Sequence, residues 1–254
     1  MRTLLTCLSL LALSAAVAIA DAPTRPIPAN ATIDQILSAL KTRGDTLRDF
    51  TAHVTMIHND MTTGDSTTDK GTIVFQKLSS GDTRIRVNFT DHIAGDREFA
   101  RHHEYMLADG WLRERDYQQH LENDQQVVRP GEKLNLLKLG EGPFPLPIGQ
   151  DPADVKQQFT VTKIAPAKGD PPDTIHLQLV PNPGSEFEHQ YLQIDVWVDR
   201  ASAMPIQITT EDKQGATTQT TDLNDLQLNG PVNASDFLMP PIEGWTITQK
   251  PYGQ

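Results

Sequence analysis

His103-Glu104 opens an H-E-x-x-H pattern, in which two histidines on one helix face hold zinc and the glutamate acts as general base, but Leu107 stands where the second histidine should be. The residues around it alternate as a strand does, whereas that metal site needs a helix to bring both imidazoles together on one face. His102 and His103 are adjacent and His53 and His58 are five apart, so on strands the members of each pair face away from each other. The acids Asp60, Asp65 and Asp69 with Gly64 lack the spacing of a calcium loop. No G-x-S-x-G elbow, phosphate-binding loop or dinucleotide fingerprint occurs. In so acidic a chain, pairs of carboxylates carry little weight by themselves. No set of nucleophile, base and orienting residue can be assembled, so the expectation is a protein without catalytic residues, metal or cofactor. A hydrolase with a site built from distant strands is the least favoured reading.

The balance of charges narrows the partners. Among 254 residues, Lys+Arg number 22 and Asp+Glu 33, a formal net charge of −11, which opposes binding to nucleic acid or to an anionic membrane surface. With 37% hydrophobic and 22% charged residues, the chain is neither a polytopic membrane protein nor wholly disordered. Met1-Arg2, the uncharged run Leu4 to Ile19 and the small-x-small Ala18-Ile19-Ala20 read as a signal peptide over residues 1–20. The only cysteine, Cys7, lies within it, so the expected mature chain cannot form a disulfide and suits an oxidising compartment. A periplasmic or otherwise exported protein, free of the membrane after cleavage, is expected.

The elements that would position a site follow. Residues 21–31, with three prolines, read as an extended leader. Thr32 with Gln35 forms a capping-box pattern, and Ile33, Ile36, Leu37 and Leu40 give one apolar helix face ending near Gly44. From Phe50 the period becomes two. Phe50, Ala52, Val54 and Met56 alternate with polar residues, as do Ile73 with Phe75, and Ile85, Val87 and Phe89 with Arg84, Arg86 and Asn88. Asp109-Gly110 between Glu104–Ala108 and Trp111–Tyr117 marks a hairpin. The polar stretches Asp60–Lys70 and Asp91–Arg101 read as connections. After the middle of the chain, alternation resumes from Phe159 to Leu228.

The sum is nine or ten antiparallel strands in a mainly β, α+β chain. A curved antiparallel sheet or incomplete β-barrel is expected, covered by an N-terminal helix and a central helical lid, as one domain over 32–254. The lid insert spans about 129–158, where Leu134, Leu136, Leu137, Phe144, Leu146 and Ile148 crowd among prolines. These residues either pack permanently on the sheet or cover an apolar cavity. The expected cavity wall is Val54, Met56, Phe75, Val87, Phe89 and Trp111.

The order of these features resembles the LolA-like family of periplasmic lipoprotein carriers. The resemblance runs through the helix Ile33–Arg43, strands beginning at Phe50, Gly71 and Thr83, and Asp109-Gly110-Trp111-Leu112 followed by Asp116-Tyr117. It continues through Leu134–Leu139, Pro205-Ile206-Gln207-Ile208, Asp222-Leu223-Asn224-Asp225-Leu226 and the closing Asn233-Ala234-Ser235-Asp236-Phe237, Pro240-Pro241 and Gly244-Trp245. It implies an unclosed barrel whose helical insert covers the open side. It also implies a non-enzymatic carrier or chaperone for lipoprotein acyl chains or another lipid, for which membrane-bound donor and acceptor proteins are candidate partners; the sequence does not set the oligomeric state, and a monomer is assumed. An envelope sensor of the same fold that binds a protein partner is the alternative. Where such carriers place an Arg-Pro pair that holds the lid, this chain has Lys77-Leu78-Ser79, and Arg84 and Arg86 are the nearest substitutes.

Overall fold

A computed structural model describes residues 26–129, 131–132 and 148–253. Helix α1 (Ile33–Thr46) precedes β1 (Asp49–Asp60), β2 (Ser66–Lys77), β3 (Thr83–Ala94), β4 (Arg97–Ala108), β5 (Trp111–Asp116) and β6 (Leu121–Gln126). Helix α2 (Pro152–Gln158) then leads into β7 (Phe159–Lys163), β8 (Thr174–Pro181), β9 (Tyr191–Asp199), β10 (Pro205–Asp212) and β11 (Thr217–Leu228). A 3₁₀ turn (Ala234–Phe237) and β12 (Thr246–Lys250) close the chain.

The twelve strands form one open, curved sheet in the order β12-β6-β5-β4-β3-β2-β1-β11-β10-β9-β8-β7. Every pairing is antiparallel except that of β12 with β6. The β1–β11 pairing joins the N-terminal and C-terminal halves of the sheet. Irregular register at Thr51/His53, Lys70/Gly71 and Phe89/Asp91 marks places where strands bend.

Helix α1 forms where the sequence predicts it. The Thr32 N–H donates to Gln35 Oε1 at 2.9 Å and the Gln35 N–H to Thr32 Oγ1 at 3.3 Å, satisfying two amides that an uncapped helix leaves bare. Its face of Ile36, Leu37 and Leu40 is buried in the same core as Phe50, Phe75, Leu177, Ile194 and Val196. This core defines the inner face of the sheet. The helix is also held at its ends. Arg43 Nε donates to the Ser202 carbonyl at 2.7 Å, and Lys156 pairs with Asp34. Lys163 Nζ reaches the carbonyls of Ala29 and Ala31.

Two polar stretches read as connections turn out to be strand. β3 continues to Ala94 and β4 starts at Arg97, turning at Gly95, and β2 begins at Ser66. Neither face of these ends is buried, so they pair through backbone and a few exposed or half-buried polar side chains, and no apolar alternation is required. β6 was hidden for another reason. Its buried positions are Glu122 and Asp124, so its period of two is written in acids.

Of the expected lid, Leu134, Leu136, Leu137, Phe144 and Leu146 lie outside the described residues, as does the expected signal peptide. Ile148 is described and fully buried in the core. Beside it, the Gly149 N–H donates to the Leu40 carbonyl at 3.2 Å, and α1 passes so close that a Cβ on Gly44 would lie 2.3 Å from Gly149 Cα. The insert therefore re-enters the core against α1. A side chain at position 44 must force the two backbones apart. Gly44→Val is expected to lower stability by about 2–3 kcal/mol, read by denaturant melts, whereas Gly230→Ala, built into open space, leaves the midpoint in place.

Candidate functional site: the inner face and its mouth

Residues directly opposite in an antiparallel ladder share a face, so the register itself assembles the site. One row across β1 to β6 reads Phe50, Phe75, Ile85, Leu107, Leu112, Gln125. The next reads Ala52, Ile73, Val87, Tyr105, Glu114, Asn123. The third reads Val54, Gly71, Phe89, His103, Asp116, Leu121. A fourth, shorter row reads Met56, Asp69, His92, Phe99. Each of the three full rows starts apolar at β1 and reaches polar residues by β4 to β6.

Five of the expected wall residues, Val54, Met56, Phe75, Val87 and Phe89, thus lie together on the inner face. All are buried except Met56, which is partly buried against the same core. Trp111 does not join them. The Asp109-Gly110 turn, with φ of 53° and 77°, sets Trp111 opposite Ala108, so it shares the outer face with Met106, and Leu112 takes the inner position. The parity had to be counted from the turn.

Where the rows turn polar, a mixed cluster forms. The rings of His103 and Tyr105 stack with centroids 4.6 Å apart, and Phe89 meets Tyr105 edge-on at 6.2 Å. His103 Nε2 lies 2.9 Å from Glu114 Oε1, His92 Nδ1 2.7 Å from Asp69 Oδ1, and Arg101 Nη2 3.6 Å from Asp116 Oδ2. Burial, reinforced by the negative charge of Glu114 and a hydrogen bond to it, pushes the Tyr105 phenol up to about 12. Burial opposes ionisation of Asp116 too. The Gln119 and Gln118 amides, each 2.9 Å away, together with His103 and Arg101, nevertheless hold its carboxyl below the usual range.

The outer face carries a different set of charges, missed in the sequence because they read as a solvated side. Glu104 is fully buried, paired with Arg86 and accepting from the Tyr117 hydroxyl at 3.0 Å. Arg115, 2% exposed, donates through Nε to Glu122 at 2.5 Å and through Nη2 to the carbonyls of Met239 and Pro240 at 3.2 and 2.8 Å. Arg86 Nη1 donates to the Asp236 carbonyl at 2.9 Å, and Arg84 lies 4.1 Å over the Phe237 ring. The C-terminal segment is thus strapped across β3 to β6 before it adds β12 to the edge. Phe237 and Met239 bury with Met106 beneath it. Arg84 and Arg86 therefore hold this strap, on the face opposite the apolar rows, and do not stand in for a lid-holding arginine. His103 and Glu104 point to opposite faces, as parity demands.

A hollow of about 600 Å³ lies between Ala29, the 164–174 connection, His176 and Arg200. Its Asp170 is already committed to the Trp197 indole and the Ala167 amide, and its His176 to Asp195 at 2.7 Å. Among the described residues no group of three or more His, Cys, Asp or Glu could hold a metal ion, and no helix is long and apolar enough to cross a membrane.

No family model and no curated protein sequence matches the chain. Solved structures are similar at low identity. MucB in the MucA/MucB complex of Pseudomonas aeruginosa shares 15% identity over 82% of this chain and 60% of that one, at a TM-score of 0.45. An uncharacterised conserved protein from Thermus thermophilus shares 9% over 85% and 98%, at 0.49. A LolA superfamily protein from Nitrosomonas europaea shares 13% over 80% and 97%, at 0.35. The chain spans 60% of the length of that MucB chain.

The neutral phenol of Tyr105 is favoured by the fold. Its stabilising effect is complete below the ordinary tyrosine pKa near 10 and is lost as pH rises through about 12. In a phenolate absorbance titration, the difference between the wild type and Tyr105→Phe is expected to be a single step centred near 12. A step near 10 would contradict the buried placement.

Proposed function

We propose that the protein binds an amphipathic, acyl-bearing molecule on the inner face of its sheet and carries it through an exported compartment without covalent chemistry. The cargo is the acyl part of a lipoprotein or another lipid. One observation carries this reading: two adjacent ladder rows, Ala52–Ile73–Val87 leading to Tyr105 and Glu114, and Val54–Gly71–Phe89 leading to His103 and Asp116, run from apolar residues at β1–β3 to hydrogen-bonding and charged groups at β4 and β5. That gradient matches a molecule with a greasy tail and a polar end. Removing apolar surface from water gives about 25 cal/mol per Å², enough for the tail to supply most of the affinity.

The cover is assigned to Leu134, Leu136, Leu137, Phe144 and Leu146, with Ile148 as its fixed end against α1. When a cover leaves the apolar rows and an acyl chain replaces it, one apolar burial is exchanged for another. The net cost of opening is then small. Membrane-bound donor and acceptor proteins would load and unload such a carrier.

Binding of the neutral fluorophore N-phenyl-1-naphthylamine, with native mass spectrometry for co-purifying lipid, tests the reading. Val87→Thr and Met56→Gln, which put polar atoms into the rows at near-constant volume, are expected to weaken binding about tenfold or more. Trp111→Gln, on the other face, leaves it unchanged. A wild-type protein that binds no fluorophore and carries no lipid contradicts the proposal.

A further inference from the structure

We infer that the hollow between the 164–174 connection, His176 and Arg200 binds a small organic carboxylate that carries a hydroxyl group. The hollow lies at the β7–β9 end of the sheet, apart from the rows of β1–β6, so this inference stands or falls independently of the carrier reading. Its volume is about 600 Å³. Its wall is stiffened by Pro166, Pro171 and Pro172 and tied by bonds of its own. The Thr174 hydroxyl donates to the Pro171 carbonyl at 2.7 Å, and the Arg200 N–H to the Asp173 carbonyl at 3.1 Å. Asp170 accepts from the Trp197 indole at 2.9 Å and from the Ala167 amide at 2.8 Å.

The lining has a surplus of positive charge to offer. Lys163 Nζ donates to the Ala29 and Ala31 carbonyls, and Arg200 Nε to the Ile27 carbonyl at 2.9 Å. Among the described residues neither cation meets a carboxylate. Nη1 and Nη2 of Arg200 remain as a fork that matches carboxylate geometry. Of the lining acids, Asp170 has both oxygens engaged, and Asp173 is exposed, where solvent screens its charge.

His176 adds the second requirement. Its Nε2 lies 2.7 Å from Asp195 Oδ1, and a carboxylate only accepts, so Nε2 carries the hydrogen. Gln193 Nε2 holds the other Asp195 oxygen at 3.1 Å, and the imidazole stacks on Trp197 with centroids 4.2 Å apart. The ring is thus fixed, with its side chain 13% exposed. Its Nδ1 is buried and has no hydrogen-bond partner in the protein. On a neutral imidazole this atom is an acceptor, and a buried acceptor without a donor is unfavourable. A ligand hydroxyl supplies the donor, its carboxylate meets Arg200, and its hydrocarbon lies on Ile164 and the prolines.

Titration of ¹⁵N-labelled protein with 2-hydroxy-4-methylpentanoate at pH 7.5 and 0.15 M salt, followed by NMR at the Trp197 indole and the His176 ring nitrogens, tests this. The indole resonance is expected to shift saturably and His176 Nδ1 to move upfield. The acid without the hydroxyl, 4-methylpentanoate, should shift the indole but not Nδ1, and bind at least threefold more weakly. The neutral 2-hydroxy-4-methylpentanamide should bind at least tenfold more weakly. Arg200→Gln should weaken binding of the acid to the level of the amide, its indole resonance in the absence of ligand reporting that the hollow is intact. Lys168→Gln removes the same charge from an exposed position in the same connection and should leave the affinity unchanged. No saturable shift up to 20 mM acid overturns the inference, as does equal binding of acid and amide. An equal loss in Lys168→Gln also overturns it, assigning the effect to overall charge, and an unmoved Nδ1 overturns the hydroxyl preference. None of these outcomes bears on fluorophore binding at the inner face, which tests the carrier reading separately.

Discussion

A strand sends successive side chains to opposite faces, and in this sheet that single constraint separates two kinds of chemistry. The inner side of β1–β5 receives Phe50, Val54, Phe75, Val87 and Phe89, and the outer side receives Arg84, Arg86, Glu104 and Arg115. A slip of one residue in any of these pairings would drive the charges into the core and expose the hydrocarbon. The register is fixed at both sides of the sheet, by burial on one face and by matched ion pairs on the other.

The outer charges show how a polar face can be structural. Leaving one member of a buried pair alone costs on the order of 3–5 kcal/mol. Here the satisfaction is nearly complete: Glu104 accepts from Arg86 and Tyr117, and Arg115 donates to Glu122 and to two strap carbonyls. The C-terminal segment supplies those carbonyls. It also brings Phe237 under Arg84 and Trp245 against Tyr117 and His120. With that segment strapped to the outer side and α1 held through Arg43, Lys156 and Lys163, the apolar rows of β1–β3 are buried in the core, and the partly exposed inner-face groups are those at its polar end, Met56, Asp69, His92, His103 and Glu114.

Much of this was legible where one face is buried and the other wet. Helix α1, its capping box, β1, β3, the Asp109-Gly110 hairpin and the inward parity of Val54, Val87 and Phe89 all follow from spacing. The distal halves of β2, β3 and β4 were not legible, because neither face there is buried and so no apolar period exists to read. β6 and β12 escaped for related reasons, the first burying acids and the second exposed along its whole length. Trp111 was misplaced because a two-residue turn resets the count of faces. The mouth was invisible as a unit, since Asp69, His92, His103 and Glu114 come from four strands and meet only through register.

The central claim is that hydrocarbon can occupy the inner face while the outer face stays closed. Methyl NMR of the protein with a fatty acid carrying a nitroxide near its tail tests this directly. The account predicts that the methyls of Val54, Met56 and Val87 broaden on binding while those of Val74 and Met106, under the strap, stay sharp. Uniform broadening, or broadening confined to Val74 and Met106, would contradict it.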